Sequence, residues 1–216
     1  LPFDEQAIAW FGQSGVAWHN YAATLGDLGR GAASKAACEK AFALGLDAAE
    51  TWGVLARAEL AVGDHDAAEA AYRASLKRAP ANFTVAMEFA NVAWMRRGDL
   101  AEAEAITDAC FLAGGPPAPL LLAKAKLIES AGDPVRAADL LGAAAQTLAR
   151  EMPVVLAAAQ AALEAGRLGE AERLVRQAEG LNPEARSLYN QWAIVHLAAG
   201  RPQEALAKAR AGLESY

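Results

Sequence analysis

The chain has 216 residues, of which 54% are hydrophobic, and it combines a net charge of −6 with a mean hydropathy of only +0.09. That acidic balance disfavours DNA or RNA as a partner, because neutralising phosphates needs a basic stripe. No segment reaches the roughly 18 uninterrupted apolar residues of a membrane-spanning helix, and two cysteines are too few for a disulfide framework in a chain of this size. The chain opens at Leu1 with no basic segment followed by an apolar one. A targeting segment removed earlier would leave no trace; a reducing cytoplasm is the default expectation.

In chain order, residues 4–12 (Asp4 to Gly12) predict a short helix carrying Ile8, Trp10 and Phe11. Residues 1–14 therefore read as an N-terminal cap or as the remnant of a preceding unit. From there six glycines recur, Gly29, Gly63, Gly98, Gly132, Gly166 and Gly200, with spacings of 34, 35, 34, 34 and 34 residues. A period this regular means one structural unit repeated along the chain. The predicted units are approximately 15–48, 49–82, 83–117, 118–151, 152–185 and 186–216.

The second unit shows the pattern most clearly. Trp52, Leu55, Ala56 and Glu59 fall on one helix face. Gly63-Asp64 breaks that helix and caps the next. Ala68, Tyr72, Ser75 and Leu76 then form the inner face of a second helix, which Pro80 ends. The unit is helix, short turn, helix, stop. The first unit repeats it with Trp18, Tyr21 and Ala22, then Ser34, Cys38 and Ala41. The fourth has Leu121, Ala125, Ala137, Leu141 and Ala144, with Pro134 suited to the first turn of its second helix. Ala159, Ala171, Val175, Ala178 and Pro183 mark the fifth, and Tyr189, Trp192, Ala193 and Ala205 the sixth. The third unit is one residue longer than the period, because Gly98 arrives late. The extra residue lies either near Asn82-Phe83 or at Arg96-Arg97; the second choice places Phe89 and Ala90 on the core face and fits better. Ala113 to Pro119, rich in glycine and proline, reads as an inter-unit loop or as a hinge between two three-unit halves.

This arrangement resembles the tetratricopeptide repeat (TPR) family over roughly residues 15–216. Trp52, Leu55, Ala56, Ala68, Tyr72, Ser75 and Pro80 occupy the family's large, leucine, small, small, aromatic, small and proline places in order. The resemblance implies an all-α fold, a TPR-type right-handed superhelical solenoid of antiparallel helix pairs. It also implies a concave groove lined by the first helix of each unit. His19, Glu50, Arg57, Lys126, Gln160 and Asn190 would be its polar liners, and Leu60, Leu122, Leu156, Leu163, Ile194 and Leu197 its apolar ones. The third unit adds Glu88 or Asn91, depending on its register. Mixed lining of this kind suits an extended peptide or a partner helix.

Catalytic chemistry finds little footing. His19, His65 and His196 do not pair with each other or with Cys or carboxylates at metal-ligand spacing, and His65 reads as part of an exposed turn. No phosphate-cradling glycine loop follows a strand, and no nucleophile–base pair is suggested. Glu102 and Glu104 read as solubilising charge on a second helix. Cys38 and Cys110 fall in predicted helices as small core hydrophobes. The reading is a non-catalytic protein-interaction scaffold with no cofactor or metal and with a protein or peptide partner. The carboxylate clamp of chaperone-binding TPR domains is absent, since its places hold His19, Ala23, Val54, then Thr84 and Glu88 or Val85 and Phe89. No capping helix follows Leu213-Glu214-Ser215-Tyr216, which suggests two further readings. One is the partner-recruiting region of a larger enzyme, for example a sulfotransferase or a 2-oxoglutarate-dependent oxygenase. The other is self-association through uncapped ends.

Overall fold

The computed structural model describes residues 2–214, the side chains of residues 2 and 4 apart. The expected end at Ser215-Tyr216 lies outside the described residues. Among the described residues there are thirteen helices and no strand. They are α1 (Pro2–Phe11), α2 (Gly15–Asp27), α3 (Gly31–Ala43), α4 (Ala49–Val62), α5 (His65–Arg78), α6 (Phe83–Arg97), α7 (Leu100–Leu112), α8 (Pro117–Ser130), α9 (Pro134–Thr147), α10 (Met152–Glu164), α11 (Leu168–Leu181), α12 (Arg186–Ala198) and α13 (Pro202–Glu214). Helices α2 to α13 fit about six helix pairs, with α1 packed on α2. The fold is all-α, a solenoid of antiparallel pairs. The chain divides into two compact units, Leu1–Gly115 and Pro116–Tyr216.

The local signals work as elementary helix chemistry demands. Gly63 ends α4 with φ 86°, a left-handed conformation that costs a side-chain-bearing residue about 1–2 kcal/mol. Asp64 then accepts a hydrogen bond from the Ala67 amide and starts α5. Ser14, Asn82, Asp99 and Asp133 cap α2, α6, α7 and α9 in the same way. Alanine lines the contacts between helices: Ala22, Ala56, Ala68, Ala90, Ala125, Ala159, Ala171 and Ala178 are all buried. Two small hydroxyls tie helix to helix inside the first unit. Ser34 Oγ donates to the Ala22 carbonyl at 2.7 Å, and Ser75 Oγ to the Ala49 carbonyl at 2.7 Å.

Three sequence expectations need correcting. The N-terminal helix runs from Pro2 to Phe11 rather than from 4 to 12, and it leaves Trp10 and Phe11 exposed. His65 is not in a turn; it is the first residue of α5 and is half-buried. Glu102 is not a solvated charge. It pairs with Arg73 at 2.6 Å and with Arg97, which in turn reaches Glu69 at 3.0 Å. Equivalent links join neighbouring pairs in the second unit, Arg167 to Asp139 at 2.6 Å and Arg201 to Glu172. An arginine beside the turn glycine thus reaches back 28 or 29 residues to an acid on the preceding second helix.

The extra residue of the third unit lies in the last turn of α6. Phe89 and Ala90 are buried and Asn91 is exposed. Ala93 follows Glu59 by 34 residues, whereas Gly98 follows Gly63 by 35. Helix α6 therefore has 15 residues where α4 has 14.

Candidate functional site

First helices of neighbouring pairs touch within each unit: α2 meets α4, α8 meets α10, and α10 meets α12. The nominated residues all lie on these helices or on α6. In the first unit several of them come together. His19, half-buried on α2, has its Nδ1 3.1 Å from Thr51 Oγ1 on α4. Burial holds the His19 imidazole below its ordinary value; Glu50 opposes that effect and Arg57 adds to it. Arg57, exposed on α4, reaches Glu88 on α6 at 3.2 Å. The Tyr72 hydroxyl on α5 donates to the same carboxylate at 3.4 Å. Glu50 and Asn91 are exposed near the start of α4 and in the middle of α6. Leu60 packs against the cluster of Ala56, Ala71, Tyr72, Val85 and Phe89, so it belongs partly to the core.

In the second unit the candidates are less connected to one another. Leu122 and Leu156 are half-buried on α8 and α10. Lys126 is exposed on α8. Gln160 donates to Glu164 one turn along α10 at 2.8 Å. Burial, reinforced by the Glu164 charge, pushes the Glu129 carboxyl up, while Lys126 pulls it down. Asn190 is exposed on α12 and lines a hollow of about 330 Å³ with Arg186, Tyr189, Ala193 and three residues of α13. Ile194 is half-buried on the same helix.

Thr51 and the Tyr72 hydroxyl were missed in the sequence. Tyr72 fills a core position, and only its oxygen extends to Glu88. The signal lay in spacing: His19–Thr51 and Arg57–Glu88 are separated by 32 and 31 residues, slightly under one period. Both pairs join the first helices of adjacent helix pairs, α2 to α4 and α4 to α6.

Neither cysteine is available for chemistry. Both are buried, and desolvation pushes the Cys38 thiol up to about 12, which leaves it protonated and non-nucleophilic. Among the described residues no group of three or more His, Cys, Asp or Glu could hold a metal ion. No described helix is long and apolar enough to cross a membrane.

Paired helices, alanine-lined contacts and a six-beat glycine period define a helical-repeat protein. The tetratricopeptide repeat profile matches residues 20–83, 54–119 and 156–216, well over half the chain. The chain belongs to the tetratricopeptide repeat family. Solved structures agree on the fold. The C-terminal part of a TPR repeat-containing protein from Cytophaga hutchinsonii is 12% identical, with a TM-score of 0.68 over 99% of this chain and 86% of that one. MamA protein is 16% identical, with a TM-score of 0.55 over 77% and 91%. YrrB, described as a TPR protein with an unusual peptide-binding site, is 16% identical, with a TM-score of 0.53 over 82% and 91%. No curated protein matches the chain.

Proposed function

We propose that this chain is a non-catalytic interaction scaffold that holds an extended peptide or a partner helix along the face of its first helices. The observation that supports this most is the row His19, Thr51, Arg57, Glu88 and Tyr72. It links α2, α4, α5 and α6 by side-chain bonds while Arg57, Glu50 and Asn91 stay exposed to a partner. A guanidinium already oriented by a carboxylate loses less side-chain freedom on binding, and preorganisation of this kind improves affinity. In the second unit, Lys126 and Gln160 with Leu122, Leu156 and Ile194 give a face of similar mixed character. The structural likeness to a TPR protein described as having a peptide-binding site is consistent with this use of the fold.

The test is charge reversal on that face. Arg57→Glu and Lys126→Glu should keep the helical content of the parent, because both side chains are exposed; Arg57→Glu sets a carboxylate beside Glu88 and should lower Tm by about 2–4 °C. Each should weaken a bound peptide about tenfold or more, equivalent to about 1.4 kcal/mol. Unchanged binding by every variant of this face would sink the proposal.

A further inference from the structure

One position runs through all six units in register: Leu25, Glu59, Ala93, Ile128, Ala162 and His196, at spacings of 34, 34, 35, 34 and 34 residues. Each of the six is buried. Four are apolar. Glu59 is neutralised by Lys35 at 3.0 Å. His196 is the other polar member of the series, and its Nδ1 makes no hydrogen bond. It stacks on Trp192 with ring centroids 5.4 Å apart, and its Nδ1 lies 3.0 Å from Glu204 Oε2 but is not aligned for a hydrogen bond. Trp192 and His196 are only 7% and 9% exposed.

These two residues line a hollow of about 220 Å³ with Arg176, Glu179, Arg201 and Lys208. Three buried nitrogens of its lining have no hydrogen-bond partner: Trp192 Nε1, His196 Nδ1 and Arg201 Nε. A buried polar group left unbonded carries a desolvation penalty that nothing repays. Three around one hollow, at a place where the other units put core, call for an explanation. The indole N–H and the guanidinium Nε–H are obligate donors, so what satisfies them must be an acceptor. Lys208 Nζ, 5.6 Å from the centre of the Trp192 ring, and Arg176 add positive charge.

We propose that this hollow, formed by α11, α12 and α13, binds a carboxylate group. The charge balance selects that chemistry. Arg176 and Arg201 are paired with Glu172, Lys208 with Glu179 at 3.9 Å, and Arg201 Nε lies 3.9 Å from Glu204. Three cations thus face three carboxylates, with His196 beside them. Such a balance accepts a single negative charge far more readily than the −1.5 to −2 or so of a phosphate group. The planar carboxylate also presents two oxygens to two separate donors. The site is distinct from the first-helix face, so its test is independent of the peptide-binding proposal.

The test uses the full chain labelled with nitrogen-15. Its five tryptophans give five indole N–H signals, and the signal lost in Trp192→Phe is assigned to Trp192. Acetate is raised to about 50 mM at constant ionic strength against chloride, which detects affinities in the millimolar range. The Trp192 signal is expected to move and saturate. Arg201→Gln should weaken the response about tenfold. His196→Leu, which restores the aliphatic residue of the first and fourth units, should abolish it while keeping Tm at or above the parent's. An end-capped glycine–glutamate–glycine peptide saturating below acetate would identify the carboxylate as a protein partner's side chain; acetate saturating first would identify a small free acid. No shift beyond the chloride control, an unaltered response in His196→Leu, or phosphate saturating below both carboxylates would overturn the proposal.

Discussion

The two compact units use one repeat frame to different ends. In the first, polar groups on the first helices find each other across the pairs: His19 with Thr51, Arg57 with Glu88, Glu88 with Tyr72. Its core contains the stacked rings of Tyr72 and Phe89 at 5.5 Å, with Arg73 lying 4.9 Å over Phe89. In the second, the core is mostly alanine, valine and leucine, and the polar chemistry concentrates around Trp192 and His196, where buried nitrogens remain unbonded. A repeat protein needs its small residues and turns in every unit, because they set helix spacing. It does not need the same polar residues in every unit. The polar residues that depart from the period are therefore where function is to be sought.

The largest test of this contrast is on the aromatic core. Phe89→Ala should destabilise the first unit by about 3–5 kcal/mol, read as a lower denaturant midpoint, because a buried ring leaves a cavity. A loss under about 1 kcal/mol would mean that the stacked rings are not its centre of packing. Ser75→Ala should cost about 1 kcal/mol, since it removes a buried hydroxyl hydrogen bond to the Ala49 carbonyl. A change too small to resolve in the midpoint would show the bond to be incidental. Arg57→Ala should cost less than about 1 kcal/mol, as exposed ion pairs generally do. A larger loss would make Arg57 part of the framework and not of the binding face.

The smallest effect concerns pH. His19 titrates below its ordinary 6.5 in the folded chain. Between its folded value and 6.5 the unfolded chain binds more protons, so stability falls as pH drops through that window. The component is fully present above 6.5. His19→Gln should remove it, and parallel denaturation curves above and below pH 6.5 check the difference between variant and parent.

The fold was legible because its signals are local and repeated. Gly63-Asp64 gives a helix stop through the glycine backbone and a helix start through the aspartate side chain, and six turn glycines in phase define the solenoid. The register of the third unit needed the structure, since Gly98 says only that a residue is extra. Its place in the last turn of α6 emerges from the burial of Phe89, Ala90 and Ala93. The first-helix candidates were legible by position, but their bonds were not. Glu88 gains its place through a tyrosine oxygen and an arginine on two other helices, and no spacing within one helix encodes that. Glu102 was misread for the same reason, because Arg73 and Arg97 reach it from neighbouring helices. His196 gave no local signal either. Its oddity appears only when the six equivalent positions are set side by side and their burial is known.

The central claim is that the first helices form the binding face. The direct measurement is amide chemical-shift mapping on the intact chain with a peptide selected from a random library, repeated on Arg57→Glu. The account predicts perturbations at His19, Glu50, Arg57, Glu88 and Asn91, lost in Arg57→Glu while its Tm stays within about 2–4 °C of the parent's. Perturbations confined to the second helices, or the same binding in Arg57→Glu, would contradict it.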